Sequence, residues 1–181
     1  MKVFSLILVF VNFTFSQIYN CEEKFSAGKK CGTTDNSTVK YYFDNELSFC
    51  YPYKYLGCEE SVNSFESEQS CLEFCKPADQ VNCGGNVKPD DTCMGIEDKQ
   101  CKPGNVCING GMIGLCCNAK IQEQWDSEHS PKCVKSTEKI VEIKTWYGSA
   151  PLIGRKCTHN FCPTGSTCVQ KKWTAHCCTK K

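Results

Sequence analysis

The chain has 181 residues, of which 18 are cysteine, with 21 basic and 20 acidic residues. The charges nearly cancel, which argues against nucleic acid or an anionic membrane as the main partner, because both select a concentrated basic surface. The cysteine content indicates a small disulfide-rich protein, held together by covalent cross-links rather than by a large apolar core.

The first 16 residues have the pattern of a secretory signal peptide. Lys2 precedes an apolar run over residues 3–15, and Thr14 and Ser16 are suitable small residues before a cleavage site. The alternative, a membrane anchor, needs about 20 apolar residues, and this run is shorter. We therefore expect residues 1–16 to be removed and the mature chain to be secreted and extracellular.

The cysteines fall into three consecutive sets of six, which we interpret as three small domains over residues 17–78, 79–118 and 119–181. The sets are Cys21, Cys31, Cys50, Cys58, Cys71 and Cys75; Cys83, Cys93, Cys101, Cys107, Cys116 and Cys117; and Cys133, Cys157, Cys162, Cys168, Cys177 and Cys178. Domains of this size bury too little surface to fold without covalent support, and each disulfide adds about 2–4 kcal/mol. Zinc is the competing use of cysteine, but the paired C-x2-C spacing is missing, so we expect neither metal nor cofactor.

Residues 39–55 predict a β-hairpin. The stretch 39–44 is rich in β-forming residues, Asn45 and Glu46 supply the turn, and residues 47–55 form the returning strand with Cys50 on its inner face.

A short helix is predicted before the last two cysteines of the first set. Ser67 is a suitable N-cap, and Glu68 in the first turn interacts favourably with the helix dipole. Cys71 and Cys75 are four residues apart and therefore share one face of this helix.

From Cys21 to Cys75 the sequence resembles the Kunitz family, of which bovine pancreatic trypsin inhibitor is the familiar member. Residues 50–58, CYPYKYLGC, match the family's C-x-x-F-x-Y-G-G-C, and Asn63 and Phe65 match its N-x-F. The resemblance implies an α+β module with a twisted β-hairpin and a short C-terminal helix. It also implies the disulfides Cys21–Cys75, Cys31–Cys58 and Cys50–Cys71.

The resemblance places a protease-binding loop after the second cysteine. This reactive loop comprises Cys31, Gly32 and Thr33, supported by Leu56, Gly57 and Cys58. In the family, the residue that matches Gly32 enters the specificity pocket of a serine protease. Trypsin-type enzymes need lysine or arginine there, whereas glycine offers no side chain and leaves the loop more flexible. Lys30 is the alternative specificity residue, in a loop with a shifted register.

Three further features of this loop depart from the family pattern. The segment 32–38 is about three residues longer than the usual loop, and Leu56 replaces the first glycine of the family's pair. Asn36-Ser37-Thr38 is an N-glycosylation sequon, and a glycan on Asn36 would stand where a protease must dock.

The second and third cysteine sets share the pattern C-x2-G-x2-C-x8-C-C, which is an internal repeat. Adjacent cysteines bond to each other only with strain, so each pair is expected to reach two partners, but the sequence does not choose among 15 connectivities. The pattern resembles lustrin-type cysteine-rich repeats of invertebrate extracellular proteins. We expect small loop and β structures, with a further strand within residues 135–146. Trp125, Trp146 and Trp173 are expected to cover disulfides.

No sequence pattern places a nucleophile beside a base, so we do not expect an enzyme. The combination of modules resembles secreted nematode Kunitz proteins linked to cuticle formation and moulting. The leading hypothesis is therefore a secreted Kunitz-type protein that modulates serine proteases weakly or unconventionally, in an extracellular matrix such as nematode cuticle. A true inhibitor of a small-pocket, elastase-like protease is one alternative, and a structural matrix protein or channel-directed toxin is another. The expected partners are a serine protease and extracellular matrix proteins, with neither nucleic acid nor membrane.

Overall fold

The computed structural model describes residues 20–33, 36–76, 80–94, 101–110, 113–145 and 148–181. The signal peptide predicted for residues 1–16 and the side chain of Trp146 lie outside these residues. No helix in the described part of the chain is long and apolar enough to span a membrane. All 18 cysteines form disulfides, and the predicted disulfide-rich fold with a Kunitz α+β module is confirmed.

The first module is built on an antiparallel hairpin of β2, Thr38–Asp44, and β3, Phe49–Tyr55. Two short strands, β1 at Lys29–Lys30 and β4 at Gly57–Cys58, pair beside it. The returning strand begins later than the sequence predicts. Leu47 and Ser48 belong to the turn, because the Asp44 carboxylate accepts a hydrogen bond from the Leu47 amide and Ser48 has a φ of 53°.

Helix α1, Glu68–Cys75, begins at Ser67 as the sequence predicts. The Ser67 hydroxyl accepts a hydrogen bond from the Ser70 amide at 3.1 Å, and the Ser70 hydroxyl accepts one from the Ser67 amide. This reciprocal capping satisfies amides that would otherwise lack partners at the helix start. From this helix, Cys71 forms a disulfide with Cys50 of the hairpin, and Cys75 forms one with Cys21.

Buried Asn63 ties the hairpin to the segments around it. Its side chain accepts a hydrogen bond from the Phe43 amide at 2.8 Å and donates to the carbonyls of Phe43 and Glu23. Two residues later, Phe65 pairs with Tyr41 through two backbone hydrogen bonds and packs in the core. The two residues of the N-x-F motif therefore fix this segment to the hairpin in two ways, Asn63 by hydrogen bonds and Phe65 by pairing and packing in the core.

The second module is a three-stranded antiparallel sheet preceded by a 3-10 turn at Gly84–Asn86. Its strands are β5, Asp91–Cys93, β6, Asn105–Ile108, and β7, Gly114–Asn118, with β7 in the centre.

The third module contains a sheet centred on β13, Ala175–Lys180, and a separate hairpin. β8, Glu138–Ile140, β11, Ile153–Gly154, and β12, Thr167–Gln170, pair with β13. The hairpin joins β9, Glu142–Thr145, to β10, Gly148–Pro151; β8 and β9 lie within the stretch 135–146 that the sequence predicts to contain a strand, and β10 lies beyond it. A 3-10 turn lies at Cys157–His159.

The three modules have the same order of disulfide pairing: first cysteine with sixth, second with fourth and third with fifth. The pairs of the trailing modules are Cys83–Cys117, Cys93–Cys107, Cys101–Cys116, Cys133–Cys178, Cys157–Cys168 and Cys162–Cys177. Adjacent cysteines reach different partners because consecutive strand residues point to opposite faces of the sheet. The structure thus supplies the connectivity that the sequence left open.

Helix α2, Ala119–His129, was not predicted from the sequence, and it joins the second module to the third. Near its start, Gln122 accepts a hydrogen bond from the Gly84 amide at 2.8 Å. Near its end, the buried carboxylate of Glu128 accepts hydrogen bonds from the amides of Lys172, Trp173 and Thr174. Helix α2 therefore contacts both the second and the third module.

The third module also docks on the Kunitz hairpin through Arg155, the only arginine of the chain. Its guanidinium donates to Asp44 at 3.2 Å, to Glu46 at 2.7 Å and to the Trp173 carbonyl at 2.7 Å, and the residue is 7% exposed. Burial lowers the pKa of Arg155, but the attraction of Asp44 and Glu46 outweighs it and raises the pKa. The charge is thus buried with partners, as buried charges require.

Two tryptophans pack at the boundary between the modules. Trp125 and Trp173 lie 5.9 Å apart between ring centroids, and both pack against the Kunitz core cluster that contains Leu47 and Tyr51. The sequence predicts that they cover disulfides. The structure places them where they enlarge the small apolar core of the neighbouring module.

Candidate functional site

The residues of the predicted reactive loop lie close together in the structure. Lys29 pairs with Cys58 and Lys30 with Gly57 between β1 and β4, and the Cys31–Cys58 disulfide closes this ladder. The Leu56 amide also donates to the Ala27 carbonyl at 2.9 Å. The fold therefore brings the six sequence-predicted loop residues together and holds both ends of the loop.

Gly32 presents backbone rather than side chain to solvent. It is exposed, its φ is 67°, and a Cβ added to it would have no neighbour within 4 Å. This φ lies in the left-handed region, which residues with side chains adopt at a cost of about 1–2 kcal/mol. Because a protease binds its substrate as an extended strand, this backbone at Gly32 differs from a substrate-like conformation.

Gly57 permits the close approach of the two parts of the loop. Its φ is 107°, and an added Cβ would lie 3.3 Å from the Cys31 sulfur and 3.4 Å from the Asn36 carbonyl oxygen. Asn36 itself is exposed, as a glycosylation acceptor must be. A glycan on Asn36 would therefore start from the same small surface that contains Gly57 and the disulfide.

The third module flanks this surface. A groove of about 510 Å³ is lined by Lys54 and Leu56 of the Kunitz module and by Asn160 and residues 163–166 of the third. Leu56, which replaces a glycine of the family pattern, is half-buried there. The docked third module thus borders the face that a protease would approach.

Two lysines near the loop differ in their charge environment. Lys29 forms an exposed ion pair with Glu59 at 2.9 Å, which contributes little to stability. Lys30 lies in β1 with its side chain exposed, so it is accessible as the alternative specificity residue. Its backbone, however, is paired with Gly57 and belongs to the ladder before the disulfide.

The histidines do not form a catalytic arrangement in the described part of the chain. His129 contacts the Trp125 carbonyl, His159 contacts the Tyr42 hydroxyl, and the two ring nitrogens of His176 are buried without a partner. Burial lowers the pKa of all three, and that of His159 to about 4. None is hydrogen-bonded to the side chain of a described serine, threonine or cysteine.

The residues that sequence reasoning missed are those that dock the modules. Arg155, Glu128 and His159 contact partners far away in the chain, and no spacing pattern identifies them. The only signal is that Arg155 is the sole arginine among many lysines, and arginine suits buried ion pairs better than lysine does.

Comparisons with known proteins agree with this geometry. Residues 20–76 match the family model for the Kunitz/bovine pancreatic trypsin inhibitor domain. A BPTI/Kunitz inhibitor domain-containing protein of Caenorhabditis elegans is 56% identical over 160 residues, which cover 88% of this chain and 89% of that protein. Major allergen Ani s 1 of Anisakis simplex is 28% identical over 148 residues, 78% of this chain and 76% of the allergen.

Kunitz-type protease inhibitor 2 of Homo sapiens is 35% identical over 60 residues, which cover 33% of this chain and 24% of that protein. No solved structure matches the chain. The similarity to the Caenorhabditis elegans protein spans far more residues than the Kunitz domain, so the likeness includes cysteine-rich sequence outside residues 20–76.

Proposed function

The chain belongs to the Kunitz/bovine pancreatic trypsin inhibitor family, and on this basis we propose that it is a secreted, non-enzymatic protein that binds serine proteases weakly or in a non-standard way. The Kunitz scaffold around the loop is complete, with its hairpin, helix and three disulfides. The loop that such a scaffold supports is altered. The Kunitz fold of this chain therefore does not imply the family's usual activity.

The conformation of Gly32 is the observation that carries this proposal. A standard inhibitor gains affinity from a rigid, extended loop whose side chain fills the specificity pocket, with little ordering cost on binding. Gly32 has no side chain, and its φ of 67° is not extended. A protease that binds here must reorganise the loop and gains no contact in its pocket.

We propose extracellular matrix, such as nematode cuticle, as the place of action. Support comes from the signal-peptide pattern, from the lustrin-like spacing of the trailing cysteines and from two similar nematode proteins. A glycan on Asn36 would further obstruct the loop and keep protease binding weak.

An inhibitor of a small-pocket, elastase-like protease is the second candidate. The exposed Gly32 favours it, because a shallow pocket needs no large side chain. A purely structural matrix protein is the third candidate, and the docking of the trailing modules on the Kunitz hairpin favours that role.

The test is to titrate residues 17–181, secreted from a glycosylating host, against trypsin, chymotrypsin and elastase. We expect no inhibition in the nanomolar range, which corresponds to about −12 kcal/mol of binding free energy. Nanomolar inhibition of elastase alone would establish the small-pocket candidate, and nanomolar inhibition of trypsin would refute an altered loop. The matched variant Asn36→Gln separates the effect of the glycan from that of the loop.

A further inference from the structure

A groove lies between helix α1 of the Kunitz module and hairpin β9–β10 of the third module. Its outer part has a volume of about 390 Å³, and a smaller cavity of about 180 Å³ adjoins it. Tyr41, Phe49, Glu68 and Ile143 line both parts. Because its walls come from two modules, the groove exists only while the third module is docked.

The smaller cavity is mainly apolar, whereas the outer part has a mixed lining. The smaller cavity adds Ala150, Pro151, Ile153 and His129, and the outer part adds Leu72 and the polar residues Ser67, Gln69, Glu73, Lys144 and Thr145. Small-molecule sites have about 300–1,000 Å³, apolar walls and a few polar groups that orient the ligand. The groove has the size and lining of such a site.

Glu68 is the acidic side chain at the junction of the two parts. Burial raises the pKa of its carboxyl group. No lysine or arginine in the described ranges forms an ion pair with it. Lys144, the basic residue that lines the outer part, is exposed at the rim. The half-buried carboxylate thus lies at the start of α1, between the two parts of the groove, without a basic side chain from the described residues paired to it.

His129 supplies a second hydrogen-bond acceptor beside the smaller cavity. Its Nδ1 lies 2.9 Å from the Trp125 carbonyl oxygen, so Nδ1 carries the proton and Nε2 is left as the acceptor. Nε2 is buried and has no partner among the residues that the structure describes. Of these two acceptors, only Glu68 lines both parts of the groove, and its carboxylate favours a ligand that donates hydrogen bonds.

We propose that this groove binds a small apolar amine, with its ammonium group at Glu68 and its apolar group in the smaller cavity. The unpaired carboxylate supplies the charge complement, and an ammonium group offers three donors. A lysine side chain of a partner protein does not fit this arrangement. Its ammonium is the tip of the chain, whereas the cavity beyond Glu68 is apolar. The inference is independent of protease binding.

The experiment is an NMR titration of the ¹⁵N-labelled protein, residues 17–181, with phenethylamine and, separately, with 3-phenylpropionate. We expect phenethylamine to shift the amide signals of groove residues saturably, with a Kd of about 1 mM for a ligand this small. 3-Phenylpropionate, which carries the opposite charge on a similar body, should cause no saturable shifts. Absence of saturable shifts with the amine, or equal binding of the anion, would overturn the proposal.

Two variants locate the site. Glu68→Gln should weaken phenethylamine binding at least about tenfold, because it removes the carboxylate charge that pairs with the ammonium. Glu59→Gln, an exposed residue of another surface, makes the same change of charge and should leave the Kd within about twofold. Ala150→Leu should block binding without touching α1, since it fills the smaller cavity. Unchanged affinity in Glu68→Gln or in a folded Ala150→Leu protein would contradict the site.

Discussion

At the residue scale, Gly32 and Leu56 define how the reactive loop differs from that of a standard inhibitor. Both identities can be read from the sequence, and both were predicted as departures. The left-handed φ of Gly32 could not be predicted, because glycine populates both signs of φ and the surrounding loop selects one. The position of Leu56 in a groove beside the third module could not be predicted either, since it depends on docking.

His159 is a second residue whose environment only the structure reveals. Its ring lies 4.7 Å from that of Phe25 and 5.5 Å from that of Tyr42. Burial lowers its pKa to about 4, and the charges of Lys156 and Arg155 add to this effect while Asp44 opposes it. The neutral ring is thus an apolar element of the docking interface.

This environment predicts a pH dependence of stability. In the unfolded chain His159 has a pKa of about 6.5, so it binds a proton there before it does in the folded protein. The free energy of unfolding should therefore be highest above pH 6.5 and fall as the pH decreases from about 6.5 to 4. Urea unfolding of the parent and of His159→Phe at several pH values measures this. The variant should lose less stability over that range, and parallel curves would contradict the account.

At the element scale, local sequence signals predict the helices and strands well. The differences between prediction and structure arise where tertiary contacts determine an element. The start of α1 was correct because Ser67 and the first turn contain the whole signal. The hairpin turn was two residues longer than predicted, because Asp44 caps Leu47 from outside the expected turn. Helix α2 was missed, although Asn118 caps it and Ile121 and Trp125 share one face. Its sequence is otherwise polar and has little amphipathic pattern.

The end of α2 gives a prediction about stability. Glu128→Ala should lower the free energy of unfolding by about 2–4 kcal/mol, because it leaves the amides of Lys172, Trp173 and Thr174 without a charged acceptor. Chemical unfolding with the disulfides intact measures the change. Glu123→Ala, an exposed change on the same helix, should stay within about 0.5 kcal/mol. Equal effects of the two changes would show that Glu128 does not hold the 172–174 turn.

At the scale of the whole molecule, contacts between residues far apart in the chain join the three cysteine sets. Spacing predicts the Kunitz pattern, and the three disulfides of each cysteine set stay within that set, because disulfide frameworks are local in sequence. Docking joins residues more than a hundred positions apart, as in the contacts of Arg155 with Asp44 and Glu46. Such contacts produce no periodic pattern in a single sequence, so they could not be predicted from it.

Substitution of Arg155 tests whether the docking of the third module on the Kunitz hairpin stabilises the chain. Arg155→Ala should lower the free energy of unfolding by about 3 kcal/mol, because removal of one partner leaves the buried Asp44 carboxylate uncompensated. It should also speed hydrogen exchange at the docked surfaces of β3 and β11. Lys156→Ala removes an exposed charge next to it and serves as the control. If both variants unfold alike, the modules fold independently.

The measurement that most directly tests the central claim, that the loop rather than the scaffold limits protease binding, is trypsin inhibition by Gly32→Lys. The comparison uses Asn36→Gln as the parent, so that neither protein has a glycan at Asn36. Lysine at position 32 would supply the basic side chain that the trypsin pocket needs. Loss of such a buried charge partner costs about 2–5 kcal/mol, so lysine should gain a similar amount of binding free energy, and the left-handed backbone should reduce that gain by about 1–2 kcal/mol. We predict that Gly32→Lys strengthens inhibition at least about tenfold over a weak parent. A parent that already inhibits trypsin at nanomolar concentration, with no gain from lysine, would contradict the account.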